Sequence, residues 1–206
     1  MIEYVIPENP DDRVLDKACD ALRSGGLVAL PTDTSWVVVA DPFNKQGIAN
    51  IYRFKNIDKL KHLSLLCESF SKASEVAVIN DIVFKTLKKI TPGHYTFIFE
   101  ATKKIIRAVQ ANKTDHNVGV RFVPSLLVER LLQRYGDSLI STNFDKSAMG
   151  LSEEEPVFSY MIEDKYANDI SLIIDPGEYE IVGPSTIIDY SENYPNVIRE
   201  GAGKVF

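Results

Sequence analysis

An α/β fold, with helices flanking one twisted mixed sheet, is predicted for this chain of 206 residues, and three observations predict it. Short apolar runs rich in Val, Ile and Leu alternate with segments of helical periodicity along most of the chain. Capping and breaking residues (Asn, Ser, Pro, Gly) stand at the joins between them. No internal repeat, low-complexity tract or interdomain linker interrupts the alternation, so residues 1–206 read as a single domain.

Each element follows from local chemistry. Ile2–Ile6 alternates weakly and reads as a short edge strand. Asn9-Pro10-Asp11-Asp12 opens a helix, with Asn9 as N-cap, Pro10 at the first helical position and acids in the first turn. Val14, Leu15, Ala18, Ala21 and Leu22 share one apolar face, and Gly25 stops the helix. Leu27–Leu30 and Trp36–Ala40 are buried strands, the first ended by Pro31, which lacks an N–H and disfavours helix before it. Asn44 caps a helix running to about Lys55, with Ile48, Ile51 and Tyr52 inward. Leu63–Cys67 is a strand; Ser69–Glu75 and Asp81–Ile90 are helical, the second with Ile82, Phe84, Leu87 and Ile90 as its apolar positions. Thr91-Pro92-Gly93 breaks it before strand Tyr95–Glu100. Gln110–Asn117 has loop composition, Val118–Val123 is a strand, and Pro124-Ser125 starts a helix that reaches Tyr135 and ends at Gly136. Ser138–Ser141 is a strand, Met149–Pro156 an acidic loop and Val157–Tyr166 a helix. Leu172–Ile174, Ser185–Asp189 and Val197–Arg199 complete the strands.

Composition excludes some classes. No apolar run approaches the roughly 20 residues of a membrane helix, and Met1–Pro7 is not a signal peptide. Cys19 and Cys67 are too few for a disulfide framework and lie in apolar patterns, as buried thiols in a reduced cytoplasm would. With a net charge of −6, nucleic acid would need a local basic patch. Candidates are Lys55–Lys61 and Lys85–Lys89 with Lys103, Lys104 and Arg107, although clusters like these are more often solvated faces.

There is no phosphate loop, dinucleotide fingerprint or nucleophile elbow. His62, His94 and His116 lack ligand-like spacing and read as surface or hydrogen-bonded histidines, so no metal site is expected. Between the two buried strands, Thr32, Asp33, Thr34 and Ser35 place four oxygen-bearing side chains at a strand edge. Two readings stand: a polar turn satisfying its own backbone, or a ligand site at the edge of an open sheet.

Six segments, in order, resemble the YrdC/YciO family of threonylcarbamoyl-AMP synthases and their relatives. "LPTDT" is similar to the start of the family's PTDTVYGL, with Trp36-Val37-Val38 in place of Tyr-Gly-Leu. "IYRFKNIDKLKHLSLLC" resembles its lysine-bearing segment through Lys55 and Lys61, with Ile57 where the family has arginine. "TPGHYTFIFEA" resembles Pro-Gly-Pro-Tyr-Thr, with His94 replacing the second proline. "VGVRFV" supplies Arg121, "ISTNF" supplies Ser141 and Asn143, and "GPSTIID…VIREGAG" supplies Ser185, Thr186, Arg199 and Gly201.

The resemblance implies the YrdC-like sheet with a concave basic cavity. It also implies a reaction joining L-threonine, bicarbonate and ATP into threonylcarbamoyl-AMP with release of pyrophosphate, serving tRNA modification. By the resemblance Lys55 and Arg199 hold nucleotide phosphates with Lys61 assisting, the two lysines forming the catalytic pair. Ser141 and Asn143 bond the nucleotide, Arg121 and Ser185 hold the threonine carboxylate or carbamate, and Thr32 and Thr34 line the amino-acid end. Mg²⁺ is implied alongside ATP, and tRNA, double-stranded RNA or tRNA-modifying proteins as partners. Beside these roles stand plain ones: Lys55 and Lys61 as helix-end and loop cations, Ser141 and Asn143 as caps of a turn, Arg121 as an ion-pair partner. The alternative to a synthase is a YciO-like, non-catalytic protein that binds double-stranded RNA or the ribosome.

Overall fold

A computed structural model describes residues 1–55, 63–109, 116–152, 154–192 and 194–205, the side chains of 107–109 excepted. Ten strands, β1 (Ile2–Tyr4), β2 (Val28–Pro31), β3 (Trp36–Ala40), β4 (Ser64–Leu66), β5 (Tyr95–Glu100), β6 (Asn117–Arg121), β7 (Leu139–Asn143), β8 (Leu172–Asp175), β9 (Thr186–Asp189) and β10 (Asn196–Arg199), share one sheet. Its order is β1-β8-β2-β3-β7-β4-β6-β5-β9-β10. Four pairs are parallel (β1 with β8, β2 with β8, β4 with β6, β5 with β9) and the other five antiparallel, so the sheet is mixed. The helices among the described residues are α1 (Asp12–Arg23), α2 (Lys45–Lys55), α3 (Phe70–Val76), α4 (Asp81–Leu87), α5 (Lys103–Val109), α6 (Leu126–Tyr135) and α7 (Ser159–Tyr166).

Apolar layers lie on both faces of the sheet. β3 is buried at every position, which is why its sequence is an unbroken apolar run. Trp36, Val38 and Ala40 join Leu65, Phe97, Phe99, Val120 and Ile140 in one cluster; Val37 and Val39 join Leu30, Leu66, Leu139 and the inner faces of α1 and α6 in the other. On that second face the alternation turns polar toward β5. Ser141 and Asn143 follow Leu139 at intervals of two, Ser64 precedes Leu66, and Gly119, Arg121 and Thr96 are out of phase with the clustered Val118, Val120 and Phe97. Register sets Ser64 opposite both Ser141 and Gly119. A methyl on Gly119 would stand 3.0 Å from the Ser64 hydroxyl, so small side chains line this strip of the sheet.

Several sequence expectations need correction. The N-cap of α1 is Asp11, whose carboxylate accepts from the Arg13 N–H at 2.8 Å; Asn9 instead closes a turn on Ile6, leaving Pro10 outside the helix. Pro31 lies within β2, opposite Trp36, since an extended φ suits the last residue of a strand. α4 stops at Leu87 and turns Val83, Leu87 and Ile90 inward; Ile82 is 80% exposed, because the i, i+4, i+7 set fits the core and Ile82 falls off it. α5 forms in a stretch for which the sequence names no element; of the loop expected over Gln110–Asn117, 110–115 lie outside the described residues and Asn117 already opens β6. β7 runs on to Asn143, so Ser141 and Asn143 are strand residues and not caps of a turn. Cys19 and Cys67 are buried free thiols.

Candidate functional site

The turn joining β2 to β3 organises the site. Thr32 builds it: its hydroxyl donates to the Ser35 carbonyl at 2.8 Å and accepts from the Thr34 and Ser35 N–H groups at 3.3 Å. Thr32 therefore satisfies its own backbone, as the polar-turn reading has it. The turn directs Asp33 inward, where it is buried. One carboxylate oxygen accepts from Arg121 Nη2 at 2.7 Å and the other lies 2.7 Å from His94 Nδ1. Arg121, from the end of β6, is equally buried, and its Nε has no hydrogen-bond partner among the described residues. Burial pushes the guanidinium below its ordinary value, the Asp33 charge opposes that shift, and Arg199 adds to it, which places a second cation nearby.

Arg199 and Ser185 meet beside this pair. Arg199 donates to the Ser185 carbonyl from Nε at 3.1 Å and Nη2 at 2.7 Å, and Nη2 lies 3.2 Å from the Ser185 hydroxyl. The Ser185 and Thr96 hydroxyls share a 2.8 Å hydrogen bond, joining the residue before β9 to the polar strip on β5. The C-terminal glycines allow this fold-back: a side chain on Gly201 would collide with the Pro184 carbonyl, and the Gly201 N–H donates to Thr186 Oγ1 at 2.9 Å.

A second group forms at the end of β7. Lys55, last residue of α2, donates from Nζ to the Asn143 carbonyl at 2.9 Å, and Ser35 Oγ donates to Asn143 Oδ1 at 3.1 Å. Ser141 Oγ donates to the Ser64 carbonyl at 3.0 Å. The 32–35 turn thus touches both groups, through Asp33 on one side and Ser35 on the other.

The structure places Thr32, Thr34, Arg121, Ser185 and Arg199 around Asp33, and Lys55, Ser141 and Asn143 beyond it. Lys61 and Ile57 lie outside the described residues. Arg121 holds the ion pair that its plain reading anticipates. Thr96 and His94 are site residues that sequence reasoning did not assign, and it read Asp33 only as one of the four oxygen-bearing side chains of the turn; the signal for His94 was an imidazole where the resembled motif has proline. Trp36, the other large departure, donates from its indole to Tyr179 Oη at 2.6 Å, and Tyr179 donates in turn to the Val157 carbonyl at 3.2 Å. Of the basic clusters, Lys104 is drawn to Glu75 at 2.6 Å. Among the described residues no cluster of three or more His, Cys, Asp or Glu could hold a metal ion, and no helix is long and apolar enough to cross a membrane.

Known proteins carry the same architecture. The curated Uncharacterized protein YciO of Escherichia coli K12 is 29% identical over 202 residues, covering 98% of this chain and 96% of its own. The E. coli YciO crystal structure superposes with a TM-score of 0.85, covering 99% of this chain and 97% of that one. A threonylcarbamoyl-AMP synthase of Vibrio vulnificus YJ016 is 27% identical over 178 residues, 85% of this chain and 92% of its own. Sua5 of P. abyssi, crystallised with L-threonine, has the same fold at a TM-score of 0.81 and 22% identity, over 98% of this chain and 57% of that one. The family model Sua5_yciO_yrdC, described as telomere recombination, matches residues 20–201. With the family model matched over residues 20–201 and the fold shared over nearly all of its length, the chain belongs to the Sua5/YciO/YrdC family.

Proposed function

We propose that the chain is a nucleotidyltransferase of the threonylcarbamoyl-AMP synthase type, converting L-threonine, bicarbonate and ATP into threonylcarbamoyl-AMP and pyrophosphate for tRNA modification. One observation carries this reading: the 32–35 turn joins two polar groups that the five other resembled segments of the chain supply. A carbamate oxygen attacks the α-phosphorus as the bond to pyrophosphate breaks, so the protein's work is positioning and cationic stabilisation. Lys55 and Arg199, with Lys61, are proposed for the phosphates, Ser141 and Asn143 for the nucleotide, Arg121 and Ser185 for the threonine carboxylate or carbamate. Arg121 still has its Nε donor for such a group while Asp33 holds Nη2. Mg²⁺ is proposed to enter on the ATP phosphates, since that ion binds through substrate oxygens with few protein ligands.

The experiment is pyrophosphate release with ATP, Mg²⁺, threonine and bicarbonate, each omitted in turn. Release is expected only with all present. Ile57→Arg is expected to raise it by up to about a hundredfold, the effect of restoring one preorganised charge stabiliser, and Lys55→Ala to lower it. Equal release from wild type, Ile57→Arg and Lys55→Ala would remove the phosphate assignment. No release from any, together with a salt-sensitive gel shift on double-stranded RNA, would establish the RNA-binding alternative instead.

A further inference from the structure

We propose that His94 is the general base that takes the proton from the substrate ammonium before carbamate formation, with Asp33 as its positioning residue; this rests on the synthase reading above. The geometry starts from Asp33. Its carboxylate is paired with buried Arg121 and is an acceptor only, so His94 Nδ1, 2.7 Å away, carries the hydrogen between them. In the neutral ring the lone pair is then on Nε2, which has no protein partner among the described residues. Asp33 is fixed from behind, while the His94 side chain is 36% exposed. A base held in one tautomer by a buried carboxylate and open on its other nitrogen is arranged for proton transfer.

The surroundings say what the proton donor is. His94, Thr32 and Asp33 line a cavity of about 480 Å³ between the β2–β3 turn, the start of α6 and the segment after β8. The charged groups facing it are Asp33, Glu8, Glu178 and Glu180, with no lysine or arginine among the described lining residues. Arg121, which is not part of that lining, pairs with Asp33 and compensates its charge alone. Such a lining takes a cation, and an α-ammonium is the cationic part of the proposed substrate.

The step balances. The ammonium gives one proton to His94 Nε2, leaving a neutral amine. The amine nitrogen forms a bond to the bicarbonate carbon, the carbon–hydroxyl bond breaks, and the departing hydroxide takes the second nitrogen proton as water. Carbamate, water and a protonated His94 remain, and the imidazolium returns its proton to solvent.

The test uses the full chain and L-threonine as probe. The His94 ring signals, identified among three histidines by their loss in His94→Gln, are expected to shift when threonine is added and not when its deaminated analogue 2,3-dihydroxybutanoate is. In turnover His94→Gln is expected to lose about a hundredfold in kcat at neutral pH, the loss shrinking as pH rises and the free amine sheds its proton unaided. Pyrophosphate release with an unmoved His94 signal and a wild-type pH profile in His94→Gln would overturn the assignment and leave the synthase reading standing. A His94 signal moved by threonine without any pyrophosphate release would keep the amine site and remove the synthase. Neither effect would remove both.

Discussion

Arg121 and Asp33 show how much one residue's meaning depends on its partner. Their side chains are 6% and 5% exposed, so removing either leaves an uncompensated buried charge. Asp33→Asn is expected to cost about 3 kcal/mol in chemical denaturation, the low end for breaking a buried pair, and Asp33→Asn with Arg121→Met to recover much of that loss. A single-variant loss below about 0.5 kcal/mol would mean that the pair contributes nothing to the fold. Cys67 gives a second test at this scale. Burial pushes its thiol up to about 12, the Ser138 hydroxyl 3.2 Å away opposing. A raised folded value means the associated stability is complete below the ordinary thiol value of 9.0 and is lost as pH climbs toward 12. Iodoacetamide at pH 8 is expected to leave Cys67 unmodified in the native protein and to label it after unfolding, because the thiolate is the nucleophile. Native labelling at the unfolded rate would contradict this.

Among the elements, ends are set by single side chains and faces by packing. Asn80 caps α4, its Oδ1 accepting from the Val83 N–H at 2.9 Å. Asn80→Ala is expected to lower stability by about 1 kcal/mol in a denaturant titration, with Asn80→Asp near wild type. If alanine and aspartate behave alike, the cap does not matter. The same side-chain logic read from the sequence found Asn44, whose Oδ1 accepts from the Gln46 and Gly47 N–H groups at 2.9 and 3.1 Å, yet it chose Asn9 over Asp11 for α1. Both residue types cap equally well in isolation. The choice fell to the turn that ties Asn9 to Ile6, a contact no capping rule contains. At the other end of the chain Gly201→Ala is expected to free Arg199 from Ser185, since an added methyl would strike the Pro184 carbonyl. Thermal unfolding would register it as a loss of about 1–3 kcal/mol, the usual cost of overpacking. An unchanged melting curve would show that this segment can shift without cost.

For the whole molecule, what could be read from the sequence was what depends on near neighbours. Periodicity shows whether an element has one buried face or two, so β3, β5, α2 and α6 were legible with nearly their observed bounds. The resembled motifs named Arg121, Ser185, Arg199, Ser141 and Asn143, because those residue types at those positions need no knowledge of the sheet. Strand order was decided by tertiary structure alone: β8 inserts between β1 and β2, and β7 between β3 and β4, pairings that local sequence does not encode. The polar strip of Thr96, Gly119, Ser64 and Ser141 exists only once that order brings strands remote in sequence side by side. Asp33 read locally is one acid in a polar turn. It becomes the counter-charge of Arg121, 88 residues on, and the support of His94, 61 residues on, because packing removes all three from most of their water. Desolvation makes the partner obligatory, and only the folded chain says which partner is within reach.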